Sequence, residues 1–181
     1  VNTTPAHYYS GVELKTVTCA NTDVAEVGFV GRTLLNAFNA LEYGFQQKRP
    51  ELVNSANSIF DTYLTNGFSP AGFFNEVVHY NRDFKEPNLS IRRQSEGVYA
   101  ILNYLDYEKQ HKRKHPEWEK RLKVILDSFL RLQNADGSFP RKFKDDFSIV
   151  DGTGGSTPSA TLPLVMAYKY FKDKRYLESA K

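Results

Sequence analysis

Apolar residues recur three and four positions apart through most of the chain, the spacing that lays one face of a helix against a core. Val30, Leu34, Ala37, Phe38 and Leu41 predict a first helix from about Val27 to Gly44. Pro50 suits a first helical turn, and Leu52, Ala56, Ile59, Phe60, Tyr63 and Leu64 carry a second helix to Asn66-Gly67. Ser90 stands where a cap is needed for a third, with Ile91, Val98, Ile101, Leu102 and Leu105 on one side. A fourth opens at Pro116 and shows the cleanest stripe, Trp118, Leu122, Ile125, Leu126 and Phe129, before Asn134-Ala135-Asp136-Gly137 stops it. Thr157-Pro158 reads as the cap and first turn of a fifth, carried by Leu162, Val165, Met166 and Phe171, in which Pro163 should force a kink. Tyr176 and Leu177 begin a sixth. No stretch sustains the alternation of a strand, so the expected fold class is all-α, built of repeated antiparallel helical hairpins. Residues 1–26 lack a period and are expected to form an irregular lead-in, leaving 27–181 as an array of two to three hairpins.

The hairpins repeat. Ile59-Phe60-Asp61 returns as Ile125-Leu126-Asp127, and Gly67-Phe68-Ser69-Pro70 returns as Gly137-Ser138-Phe139-Pro140. Each unit therefore ends in a long loop, Gly67–Asn88 or Gly137–Ser156, before the next helix. Helical hairpins of this period bury their faces only by stacking on neighbours, which gives an array, a solenoid or a closed ring.

Charge and cysteine usage remove several chemistries. The formal net charge of +3 is too small to support extensive phosphate contacts, so nucleic acid is not an expected partner. The run Lys109-Gln110-His111-Lys112-Arg113-Lys114-His115 reads as a solvated turn between helices. Cys19 is the only cysteine, and the His111/His115 pair lacks the accompaniment of a zinc motif, so neither a metal nor another cofactor is expected. Gly152-Thr153-Gly154-Gly155 follows a loop rather than a strand and lacks the ending of a phosphate loop. No run of about 18 apolar residues exists to span a membrane. With 13 Phe, 11 Tyr and 1 Trp, the aromatic side chains suit a helical core beside a polar groove. The start at Val1 and the close at Leu177-Glu178-Ser179-Ala180-Lys181 read as a piece of a longer protein.

Gln133-Asn134-Ala135-Asp136-Gly137-Ser138-Phe139-Pro140, followed by Gly154-Gly155-Ser156-Thr157-Pro158-Ser159-Ala160 and a helix, resembles the loops of α/α toroids. That group includes six-hairpin glycosidases and polysaccharide lyases. The Gln-x-x-Asp-Gly-Ser-aromatic stretch is also similar to the repeat of triterpene cyclases, although Phe139 stands where they usually carry Trp. The resemblance covers about residues 27–181 as architecture and implies part of a ring of six hairpins. It also implies a carbohydrate substrate, a periplasmic or extracellular setting, and either a larger parent chain or self-association to cover the open faces.

In such toroids the cleft is framed by loops that lead into the inner helices. Here those loops hold Asn75, Glu76, His79, Tyr80, Arg82 and Asp83 on one side and Arg141, Lys142, Asp145, Asp146 and Asp151 on the other. Glycosidic hydrolysis needs one carboxyl to protonate the leaving oxygen and another to activate water or attack. Glu96, early in an inner helix, is the first candidate acid, and the Asp145-Asp146 pair resembles the paired aspartates of some six-hairpin mannanases. The competing reading pairs Glu96 with Arg92 or Arg93 on its own helix. His79, Tyr80, Arg92, Arg93 and Asp151 are candidate substrate-binding residues, although Asp151 next to Gly152 also suits a turn. An elimination on uronic acids would use Arg92 or Arg93 against the sugar carboxylate and His79 or Tyr80 as base. A non-catalytic glycan-binding or structural helical domain is the third possibility.

Overall fold

A computed structural model describes residues 24–25, 30–76, 78–79 and 87–181. Six helices dominate it: α1 (Val30–Gln46), α2 (Pro50–Asn66), α3 (Ile91–Gln110), α4 (Pro116–Leu132), α5 (Pro158–Phe171) and α6 (Lys174–Ser179). Most of the periodic residues of α1, α3 and α4 do what their spacing requires, whereas Leu162 of α5 is exposed and Ala160, Pro163, Leu164 and Ala167 are the buried residues of that helix. Leu34, Ala37 and Leu41 of α1, Val98, Ile101 and Leu105 of α3, and Leu122, Ile125 and Phe129 of α4 are all buried in one continuous core. Among the described residues no helix is long and apolar enough to cross a membrane.

The helices form hairpins α1–α2, α3–α4 and α5–α6, and α3 packs against both α1 and α5, so α1, α3 and α5 make one row backed by the others. At the α1–α3 contact a Cβ on Gly31 would lie 2.2 Å from the Cβ of Glu96. Glycine is what lets these two helices touch backbone to side-chain root. The links within hairpins are short and lie around Lys48, Lys112 and Lys172, each of which adopts a left-handed backbone. The 109–115 run joins α3 to α4 and is largely exposed, as expected of a solvated turn, and it is anchored at its root. Buried Glu108 accepts from Arg113 Nε at 2.8 Å and lies 2.8 Å from His115 Nε2, which in turn sits 3.2 Å from the Tyr104 hydroxyl.

The loops entering α3 and α5 contain strands that the absence of alternation did not lead one to expect. β1 (Val24–Ala25) pairs antiparallel with β2 (Val78–His79). β3 (Asn88–Ser90), β4 (Lys142–Lys144) and β5 (Ile149–Asp151) form an antiparallel sheet in that order, with Leu89 opposite Phe143. Two or three residues are too few to show a period of two; β1–β2 and β3–β4 also join segments distant in sequence, whereas β4 and β5 form a local hairpin. Apart from β1, the irregular lead-in expected over 1–26 lies outside the described residues.

Both long loops meet at one end of the helical row. Asp145 accepts hydrogen bonds from the Ser69 hydroxyl and, at 3.1 Å, from the Ala71 amide. Phe73 packs against Phe143 and Phe147, with ring centres 5.0 and 5.5 Å apart. Ser90 caps α3 as its position suggested, accepting from the Arg93 amide at 3.2 Å. Thr157 does not cap α5: its hydroxyl accepts from the Phe139 amide at 2.9 Å and ties the loop back to the helix start.

Candidate functional site

The N-terminal halves of α1, α3 and α5 border an open groove of about 460 Å³. α1 contributes Gly31, Arg32 and Leu35; α3 contributes Ser95, Glu96 and Tyr99. α5 completes the lining with Pro158, Ser159, Leu162 and Pro163. Each helix offers positions i, i+1 and i+4, the three that share one helical face. This second repeat, carried by unlike residues, is the one that builds the groove.

Glu96 is the only carboxyl side chain among the described groove-lining residues. Its Oε1 lies 3.3 Å from Arg92 Nε, the i,i+4 pairing anticipated for this helix, while its Oε2 is buried without a hydrogen-bond partner. The Ser95 hydroxyl is likewise buried and unpartnered. Leu162, 55% exposed, and Leu35 supply apolar surface beside these polar atoms. The site thus combines apolar walls with a carboxylate that retains an uncommitted oxygen.

The other candidates lie elsewhere. Asp145 uses both oxygens to hold the Ser69–Ala71 turn. Asp146 is exposed and accepts from the hydroxyl and amide of Ser148 at 2.6 and 2.9 Å, bonds that hold its carboxyl below the usual aspartate range. Asp151 repeats that turn with Thr153, at 2.6 and 3.0 Å, and lies 3.4 Å from Arg141 Nη1. None of these three borders the groove. Arg93 points to Glu76 Oε2 at 3.4 Å, so Arg92 and Arg93 both face carboxylates of the protein itself. His79 enters through the backbone of β2, and Tyr80 lies outside the described residues.

Behind the groove lies a buried polar knot that sequence reasoning did not single out. Gln94 donates to the Phe74 carbonyl at 2.9 Å and accepts from the Phe74 amide at 2.8 Å, pairing with that residue as a strand would. Its Nε2 also donates to Glu76 Oε1 at 2.9 Å, and the Ser90 amide donates to the same oxygen at 2.8 Å. Burial pushes the Glu76 carboxyl up to about 7, against the opposing pull of the Ser90 amide, Gln94 and Arg93. The knot fastens the first long loop to the turn of α3 that carries Ser95 and Glu96.

Solved structures share this architecture. A possible member of the GH105 family from Salmonella enterica serovar Paratyphi A superposes with a TM-score of 0.72 at 15% identity, covering 91% of this chain and 44% of that one. Cellobiose 2-epimerase from Bacillus thermoamylovorans gives 0.67 at 16% identity, over 87% and 42%. A glycoside hydrolase family 76 mannosidase from Bacteroides thetaiotaomicron gives 0.59 at 12% identity, over 83% and 41%. The fold is therefore that of a partial α/α toroid, as the loop resemblance implied, and the chain spans less than half the length of each of these structures. No family model matches the sequence, and no curated protein does.

Proposed function

We propose that this chain is part of a carbohydrate-active enzyme, with the groove seating a sugar and Glu96 serving as the acid that protonates a glycosidic oxygen. The observation that carries the reading is Glu96 itself: a groove-lining carboxyl with one oxygen steadied by Arg92 and the other uncommitted. Apolar walls suit the C–H face of a pyranose, and the shared fold includes hydrolases and an epimerase of sugars. Hydrolysis calls for a second carboxyl. Among the described residues no second carboxyl borders the groove; Asp146, exposed on the turn between β4 and β5, is the candidate taken to the test, because Asp145 is committed to the neighbouring loop.

The test uses the full-length polypeptide, screened for cleavage and binding against a glycan panel alongside Glu96→Gln and Asp146→Asn. Removing the acid is expected to lower kcat by about 10²–10⁴ while leaving the fold intact. Turnover that survives Glu96→Gln would overturn the assignment of the acid. If no glycan is bound or cleaved, the carbohydrate reading gives way to a structural role.

A further inference from the structure

We infer that Pro163 makes the backbone carbonyl of Ser159 a hydrogen-bond acceptor for a hydroxyl of the ligand in the groove. The inference rests on the saccharide reading above and specifies one contact within it. Pro163 lies inside α5, where it is buried. Proline has no N–H, so the carbonyl four residues earlier, that of Ser159, lacks its α-helical donor. Proline is the residue a helix interior tolerates least. Ser159 and Pro163 both border the groove. The Ser159 hydroxyl is already spent on the Ser156 carbonyl at 2.6 Å, which leaves the backbone oxygen as the group in need of a partner.

The rest of the groove agrees with this chemistry. Glu96 Oε2, on the α3 wall, is a second polar atom of the groove, buried without a hydrogen-bond partner. A carbonyl released by Pro163 and a carboxyl oxygen with no partner, set among Leu35, Tyr99 and Leu162, match a ligand that presents hydroxyls, which both donate and accept, around a C–H-rich ring. A polyhydroxylated pyranose has that character; a purely apolar ligand would leave both oxygens unsatisfied and lose affinity accordingly.

Calorimetric titration of the full-length protein with mono- and disaccharides, including D-mannose and cellobiose, provides the test, together with monodeoxy analogues of the sugar that binds best. Pro163→Ala restores the N–H, so the Ser159 carbonyl should be taken back into the helix. The expected outcome is a melting temperature at or above that of wild type, with saccharide affinity weakened about fivefold. One monodeoxy analogue should bind wild type about fivefold more weakly than its parent, and that difference should vanish in Pro163→Ala. Equal affinity of wild type and variant overturns the proposal while leaving the saccharide reading standing. The same holds if affinity and melting temperature fall together with the deoxy penalties unchanged. Should the variant not fold, the wild-type series still decides: if every monodeoxy analogue binds as its parent does, no hydroxyl is being read and the proposal fails. A wild-type protein that binds none of the sugars removes both readings at once.

Discussion

Replacing Gly31 by alanine tests whether the spacing of α1 and α3 is set by the absence of a side chain. The added Cβ would stand 2.2 Å from Glu96 Cβ, 2.5 Å from its carbonyl carbon and 2.7 Å from its carbonyl oxygen. Carbon atoms in contact prefer about 3.5–4.0 Å, so the helices must part by roughly 1.3 Å. A flexible side chain could yield; two of these three atoms are backbone. Overpacking of this kind costs about 1–3 kcal/mol, and the gain in helix propensity from Gly to Ala returns at most about 1 kcal/mol. We expect net destabilisation of about 1–2 kcal/mol, read as a lower urea midpoint at unchanged slope. Gly155→Ala is the control, because nothing lies within 4 Å of its added Cβ. Any turnover that depends on Glu96 should fall with Gly31→Ala and persist in the control. If both variants unfold at the wild-type midpoint, the close approach is not what fixes the two helices.

Burial raises the carboxyl of Glu76 from 4.5 to about 7, so the folded chain binds this proton more tightly than the unfolded chain. Its stabilising contribution is full below about 4.5 and is lost as pH rises to about 7. Denaturation midpoints should therefore decline across that window in wild type and decline less in Glu76→Gln; identical slopes would rule out Glu76 as the source. Asp145→Ala leaves the Ser69 hydroxyl and Ala71 amide without their acceptor and should cost about 1–2 kcal/mol, with faster proteolytic nicking of residues 67–76. Unchanged stability and cleavage would mean the two loops are held by their aromatic contacts alone.

Helix starts were the most legible part of this molecule because their chemistry is local. Pro50 and Pro116 open α2 and α4, and Ser90 caps α3, each fixed by residues within one turn. The short links were harder to type. Left-handed backbone is usually assigned to glycine or asparagine, yet Lys48, Lys112 and Lys172 adopt it, held there by the helices on either side. Thr157 looked like a cap, but its hydroxyl answers the distant Phe139 amide. Strand β3 is specified by pairing across to β4 in the other loop, β4 and β5 form a short hairpin, and all three are too brief to leave a periodic trace.

The groove was partly legible. Glu96 follows from its place near the start of an inner helix, and it does border the cavity. Tyr99, Leu162 and Gly31 do not announce themselves, because the recurring i, i+1, i+4 positions carry different residue types on the three helices. Comparing the helices by position, not by identity, was the signal that would have found them. In sequence Asp145 is indistinguishable from Asp146, two aspartates side by side in a charged loop. Only the approach of Ser69 and Ala71 separates a residue that ties two loops from one that shapes a single turn.

The two ends of the helical row answer to different constraints. At one, brief turns around Lys48, Lys112 and Lys172 dictate how the rods stand together. At the other, the extended connections pack Phe73 of one against Phe143 and Phe147 of the other. Because these contacts join one connection to the other, a change of length in either has to be matched in its neighbour, while the short turns at the far end keep the scaffold in place. Selectivity in a molecule built this way can drift, or be engineered, without the framework being redesigned.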